Sequence, residues 1–203
     1  MTADTTPKAA HPLNTRPTPF THTQDSAYST PWSRKSLLAK ALFDVVWMVA
    51  CRWTPRPMKG YRNAVLKAFG AKIEGAAFVD ASARIHFPWQ LVLKDRACIA
   101  KRVDVYNLAT ITLEARSTVA QDTMLCCGTH DFASPKLELM TAPIVIGEDA
   151  FVGARAIILP GVRVADRAIV GAGAVLSGPT QAGMVYAGNP AKQVGERRAR
   201  AKA

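Results

Sequence analysis

An aliphatic residue recurs every six positions over more than half of this chain. The series runs Ile73, Val79 and Ile85, then, after a slip of two, Leu93, Ile99 and Val105. After another slip of two come Leu113, Val119 and Leu125, and past an interruption Ile146, Val152, Ile158, Val164, Val170 and Leu176. Four positions after each stands Ala, Val, Ser or Thr in fourteen of the fifteen hexads, Trp89 being the exception. A six-residue period suits neither an α-helix nor an ordinary sheet and marks a parallel β-helix. Each hexad supplies one short strand and one corner of a triangular coil. The aliphatic residue points inward onto its equivalents eighteen residues away, and the small residue fits the turn. A single coil cannot bury its own apolar edge, but stacked coils can. Fifteen hexads make five coils, a prism roughly 24 Å tall at the spacing of paired strands. The low aromatic content, 7% within 49% hydrophobic residues, suits such thin layers.

The ladder occupies residues 71–190, and other patterns flank it. Residues 1–30, rich in Thr, Pro, Ala and Ser, read as a disordered arm. Residues 31–70 read as a helical segment. Ser33 is placed to cap a first helix whose Leu37, Leu38, Ala41, Leu42, Val45, Val46 and Val49 share one face. Thr54-Pro55-Arg56-Pro57 breaks it, and a second helix from about Lys59 to Phe69 puts Tyr61, Val65, Leu66 and Phe69 on one side before Gly70 ends it. The run Leu37–Cys51 is too short, and too charged at Lys40 and Asp44, to span a bilayer. Packing on protein is the favoured use of its apolar face, ahead of peripheral contact with a membrane. Residues 191–203 form a basic tail.

The net charge of +11 sits mostly at the ends: residues 1–60 hold eight Lys/Arg against three Asp/Glu, and the tail from Lys192 holds five against one. Neither interleaved aromatics nor a recognition module accompanies it, so no nucleic-acid partner is expected. Cys51, Cys98, Cys126 and Cys127 show no metal-ligand spacing, and the first 30 residues, Thr/Pro-rich without an apolar run, are not expected to act as a secretory signal. Reduced thiols in the cytoplasm are expected, with no bound metal.

The large interruption of the ladder, His130–Pro143, reads as an extruded loop. It begins with a histidine. Of the four in the chain, His11 and His22 lie in the arm and His86 occupies an outward hexad position. His130 is therefore the general-base candidate by position and by type. Asp131 either orients the imidazole or holds the loop shut, the second being preferred.

The hexads resemble those of the hexapeptide-repeat acyltransferases. The stretches Gly70-Ala71-Lys72-Ile73, Phe87-Pro88-Trp89, Gly128-Thr129-His130-Asp131 and Ala187-Gly188-Asn189-Pro190-Ala191-Lys192, in that order, resemble the acetyltransferases of colanic-acid and related exopolysaccharide synthesis. The resemblance covers about residues 31–195. It implies a mainly β fold, a left-handed parallel β-helix preceded by two helices, with a loop extruded near 130–143. It implies O-acetylation of a saccharide hydroxyl from acetyl-CoA with His130 as base, in a homotrimer whose active sites lie between subunits. It places Asn107 beside the acceptor, where a plain structural corner is the equal alternative, and Asp131 near it. It places the coenzyme along Gly153, Ala154, Ala172 and Ser177. Where many relatives carry Thr-Lys this chain has Ser177-Gly178, which leaves Lys192, or Arg197 and Arg198, to meet the coenzyme phosphates. A non-catalytic β-helical scaffold and an amine acceptor remain alternatives. A γ-type carbonic anhydrase needs three histidines, and the ladder offers only His86 and His130.

Overall fold

The computed structural model describes residues 19–24, 26 and 29–198. Most of the expected arm, residues 1–18, and the end of the basic tail, residues 199–203, lie outside the described residues.

Helix α1 (Arg34–Val46) starts where the sequence places it, with the Ser36 amide donating to Ser33 Oγ at 3.2 Å. It runs on as a π-helical turn over Trp47–Cys51, in which Arg52 N donates to Trp47 O. The wider turn keeps Cys51 on the same side as Phe43 and Trp47, and these three are the buried residues of the segment. The aromatic pair, with Phe69 set edge-on to Phe43 at 5.3 Å, closes the first end of the coil stack. The expected apolar face is not the packed one: Leu38, Leu42, Val45 and Val49 are exposed. Broad rings cover the open end of the stack, and the aliphatic stripe beside them is left outside.

Helix α2 (Lys59–Ala68) buries Leu66 together with two polar residues, Arg62 and Asn63. Arg62 donates from Nε to Val79 O (2.8 Å) and from Nη1 to Thr54 Oγ1 (2.8 Å) and Pro55 O (2.9 Å). Asn63 donates to Ala77 O at 2.9 Å. Both residues staple the helices to the first coil, while Tyr61, expected on the packed side, is exposed. Gly70 ends α2 at φ +91°, and a side chain there would press on Trp89 Cβ at 3.0 Å.

From Lys72 the chain winds through three parallel sheets. The first stacks Lys72–Ile73, Leu91–Leu93, Ile111–Leu113, Ile144–Ile146 and Arg163–Val164. The second stacks Phe78–Val79, Cys98–Ile99, Thr118–Val119, Phe151–Val152, Ile169–Val170 and Met184–Ala187. The third stacks Arg84–Ile85, Asp104–Tyr106, Met124–Cys126, Ile157–Ile158 and Val175–Leu176. All fifteen ladder aliphatics point inward, none more than 7% exposed. Equivalent residues lie eighteen apart only in the later coils, as in Ile146↔Val164. In the first coils Ile73, Leu93 and Leu113 pair at intervals of twenty, because the two slips add residues at one corner.

The corners explain a residue pattern the ladder does not. The third residue after the aliphatic one adopts positive φ, between 54° and 60°, at Arg96, Arg102, Arg116, Asp122, Asp149, Arg155 and Arg167. Each costs about 1 kcal/mol against an ordinary backbone, which inter-coil hydrogen bonds such as Asp149 N to Ala115 O (3.0 Å) offset.

The stack has about six turns rather than five. Met184–Ala187 adds a level to the second sheet, with Tyr186 opposite Val170 in the place of an aliphatic residue. Lys192–Glu196, expected within the tail, folds back antiparallel on Met184–Ala187 and caps that sheet. The interruption is a hairpin rather than a loop. Gly128–His130 pairs antiparallel with Leu139–Thr141, and Phe20–Thr21 pairs with the outer side of Leu139–Thr141. Residues 20–21 of the expected arm are thus a strand, tied on by His22 N to Leu139 O (2.8 Å) and Leu139 N to Gln24 Oε1 (2.6 Å).

Candidate active site

The hairpin leaves the stack at the corner between the third and first sheets. Cys127 N still donates to Tyr106 O of the coil below (3.0 Å), and Ala142 N donates to Cys127 O (3.0 Å), closing the neck. Beneath it lies a small second core of Phe87, Leu108 and Leu139, with Trp32, Trp89 and Tyr106 against it. An aromatic series joins the N-terminal strand to this core: Phe20 to His22 (4.8 Å), His22 to Trp32 (5.1 Å), Trp32 to Phe87 (4.9 Å) and Phe87 to Trp89 (5.0 Å). The Phe87-Pro88-Trp89 stretch is therefore the seat of the hairpin.

His130 ends the first arm with an exposed side chain whose Nδ1 lies 2.6 Å from Leu137 O. A carbonyl only accepts, so this bond holds the proton on Nδ1 and leaves the Nε2 lone pair free in the neutral ring. Leu137 itself adopts φ +47°, a left-handed conformation unfavourable for leucine. Backbone strain is thus localised at the residue that sets the tautomer of His130. Asp131 does not reach for the imidazole. Its carboxylate accepts from Ala133 N (2.9 Å) and its backbone pairs with Glu138 (2.8 Å), so it holds the hairpin tip together.

Asn107 is fully buried. Its Oδ1 accepts from His86 N (3.1 Å) and Phe87 N (2.9 Å), and its Nδ2 donates to Phe87 O (2.6 Å). With Oδ1 and one N–H of Nδ2 engaged on the backbone, it fixes the Phe87 seat. These are the contacts of the structural corner that stood as the alternative reading of this residue.

The outer face of the third sheet carries a group the sequence did not single out. His86 stands edge-on to Tyr106 at 4.7 Å, with its Nε2 3.4 Å from Asp104 Oδ1, and Cys126 is in register with Tyr106. The Asp104 oxygen has no hydrogen-bond partner in the structure. Burial raises the Tyr106 phenol above its ordinary pKa, raises the Cys126 thiol, and pushes Cys127 up to about 12. These groups stay protonated, and all four cysteines are free. Only the alternation along Asp104-Val105-Tyr106 hinted at this face.

The expected coenzyme residues fall on two corners. Gly153, Ala154 and Ala172 lie between the second and third sheets, where Gly173 N donates to Ala154 O (2.8 Å). Gly153 is glycine because the next coil leaves no room: a Cβ would sit 2.5 Å from Ala172 N. Ala172 and Ser177 are exposed, Ser177 on the far side of the last strand of the third sheet. Lys192 is exposed at the start of the capping strand, beside Ala187. Arg197 is engaged, donating to Asp149 O (2.6 Å). No group of three metal-ligating side chains occurs among the described residues.

The hexapeptide repeat of succinyl-transferase matches residues 143–177. Over 145 residues the chain is 37% identical to the putative colanic acid biosynthesis acetyltransferase WcaF of Escherichia coli K12, covering 71% of this chain and 80% of that protein. A Vibrio cholerae hexapeptide-repeat acetyltransferase, solved with acetyl coenzyme A, superposes with TM-score 0.75 at 17% identity, over 85% of this chain and 94% of that one. A maltose O-acetyltransferase from Clostridium difficile superposes with TM-score 0.68 at 16% identity, over 82% and 90%. The chain belongs to the hexapeptide-repeat acetyltransferases, an acyltransferase built on a β-helix.

Proposed function

We propose that this protein is a cytoplasmic O-acetyltransferase that moves the acetyl group of acetyl-CoA to a saccharide hydroxyl in exopolysaccharide synthesis of the colanic-acid type. The observation that carries the reading is the His130–Leu137 contact. It leaves Nε2 as a base on an exposed arm, held in one tautomer by a backbone that is itself held by Asp131. The acceptor hydroxyl gives its proton to Nε2 as its oxygen bonds to the thioester carbonyl carbon. The C–S bond then breaks, and the departing thiolate takes the proton back from the imidazolium.

The names of the relatives support the acceptor class: WcaF for exopolysaccharide, maltose O-acetyltransferase for a sugar hydroxyl. Exposed Ala172 and Ser177 on the upper coils suit a slender pantetheine arm, and Lys192 suits its phosphates. Three copies with their sites between subunits complete the reading, since one chain leaves His130 open to solvent. The test incubates the protein with acetyl-CoA and a panel of nucleotide sugars and lipid-linked glycans, reading thiol release and acetyl mass gain. His130→Ala is expected to stay folded, to bind acetyl-CoA, and to turn over at least ~10²-fold more slowly. Undiminished turnover by that variant sinks the assignment of the base.

A further inference from the structure

We infer that the outer face of α1 is a docking surface for an anionic lipid bilayer. Leu38, Leu42, Val45 and Val49 follow one another at helical spacing and are 73%, 57%, 53% and 68% exposed. Nine of the fourteen large hydrophobic side chains exposed among the described residues lie between Leu37 and Tyr61. No charge interrupts the stripe, because Lys40 and Asp44 pair with each other on another side of the helix. Cations mark both ends instead: Arg34 and Lys35 at the first turn, then Arg52, Arg56 and Lys59 beyond the last, all exposed. Trp53, 83% exposed, stands at the junction of stripe and cations, the place an indole takes between hydrocarbon and headgroups. A groove of about 440 Å³ beside Arg52 is lined by Arg56, Lys101 and Arg102, the last paired with Asp122, together with the carboxylate of Asp80.

Charge selects the occupant. The exposed cations flanking the stripe are Arg34, Lys35, Arg52, Arg56 and Lys59, and the single Asp of residues 34–62 is paired with Lys40, so the same face of a second copy would bring like charges together. An anionic membrane offers apolar depth and negative headgroups at once. No helix among the described residues is long and apolar enough to cross a membrane, so α1 lies along the surface. This surface is independent of the acetyl-transfer reading.

The test floats the full chain with vesicles of about three parts phosphatidylcholine to one part phosphatidylglycerol, and with phosphatidylcholine alone. Binding to the anionic vesicles is expected to exceed that to neutral ones by ~10-fold and to fall with added salt. Leu42→Glu with Val49→Glu, which places good helix formers at exposed sites, should reduce vesicle binding on the order of 10-fold while leaving circular dichroism unchanged. Lys35→Glu with Lys59→Glu should weaken binding to anionic vesicles alone. Wild-type protein that stays out of the floated fraction overturns the inference, as does a stripe variant that binds like wild type. A stripe variant that instead dissociates an oligomer of the chain makes the face a subunit interface and equally overturns it.

Discussion

Asn107 and His130 sit at successive turns of one corner, and their polar atoms turn opposite ways. Asn107 answers three backbone groups of His86 and Phe87 inside the protein. His130 answers one carbonyl and keeps a nitrogen outside. Asn107→Ala leaves buried amides and a carbonyl without partners, at a cost of roughly 2–4 kcal/mol. Chemical denaturation with no substrate present should read that loss, whereas an acceptor ligand would change KM and leave stability alone. Sequence spacing placed both residues at a corner, but it carries no information on whether a corner side chain turns inward. That choice depends on Phe87 needing its backbone held, which only the packed aromatic seat reveals. His130 was legible because it opens the break in the ladder. The carbonyl that fixes its tautomer was not, since nothing in the composition of Ser134-Pro135-Lys136-Leu137 announces a leucine at φ +47°.

At the scale of elements, the hairpin depends on a strand the sequence hid. Phe20–Thr21 is two residues long and lies in a Thr/Pro-rich stretch, and so short a strand leaves no periodicity to find. Its anchor is Gln24, which accepts from the buried amide of Leu139. Gln24→Ala should loosen the arm opposite His130, lowering kcat several-fold while the thermal transition of the stack stays within a degree or two. His22 gives the same strap a pH dependence. It is bonded to Thr141 Oγ1 at 3.0 Å, and burial lowers its pKa below the ordinary 6.5. The folded state thus favours the neutral ring. The contribution is complete above pH 6.5 and is lost as the pH falls from there through the lower folded pKa. Hydrogen exchange at Phe20–His22 and Leu139–Thr141, corrected for intrinsic rates, should accelerate between pH 7.5 and 5.5 in the wild type but not in His22→Phe. Equal protection at both pH values would remove His22 from the strap.

The whole molecule is a one-dimensional stack, and it was legible in proportion to its regularity. Every ladder aliphatic found its inward place. The two ends, where the pattern stops, held what the pattern could not report. At the first end the rings of Phe43 and Trp47 took the packing role expected of a Leu/Val stripe. At the last end Tyr186 extended the core in place of an aliphatic residue, its hydroxyl accepting from Gln181 N at 3.0 Å. Terminal coils of a solenoid have neighbours on one side only, so their stability rests on the cap. Here the cap is Lys192–Glu196, which pairs along Met184–Ala187, while Ala191 N donates to Val175 O at 2.9 Å to close the third sheet. Truncation after Pro190 removes both sets of bonds and bares a sheet edge. The expected result is loss of exchange protection that is strongest at Val175 and Val185 and fades toward the first coils, together with concentration-dependent aggregation. If protection falls uniformly instead, the stack unfolds as a single cooperative unit and the end acts on the whole of it. If protection does not change, the capping strand is dispensable, and the last coil is held by Tyr186 and its neighbours in the core.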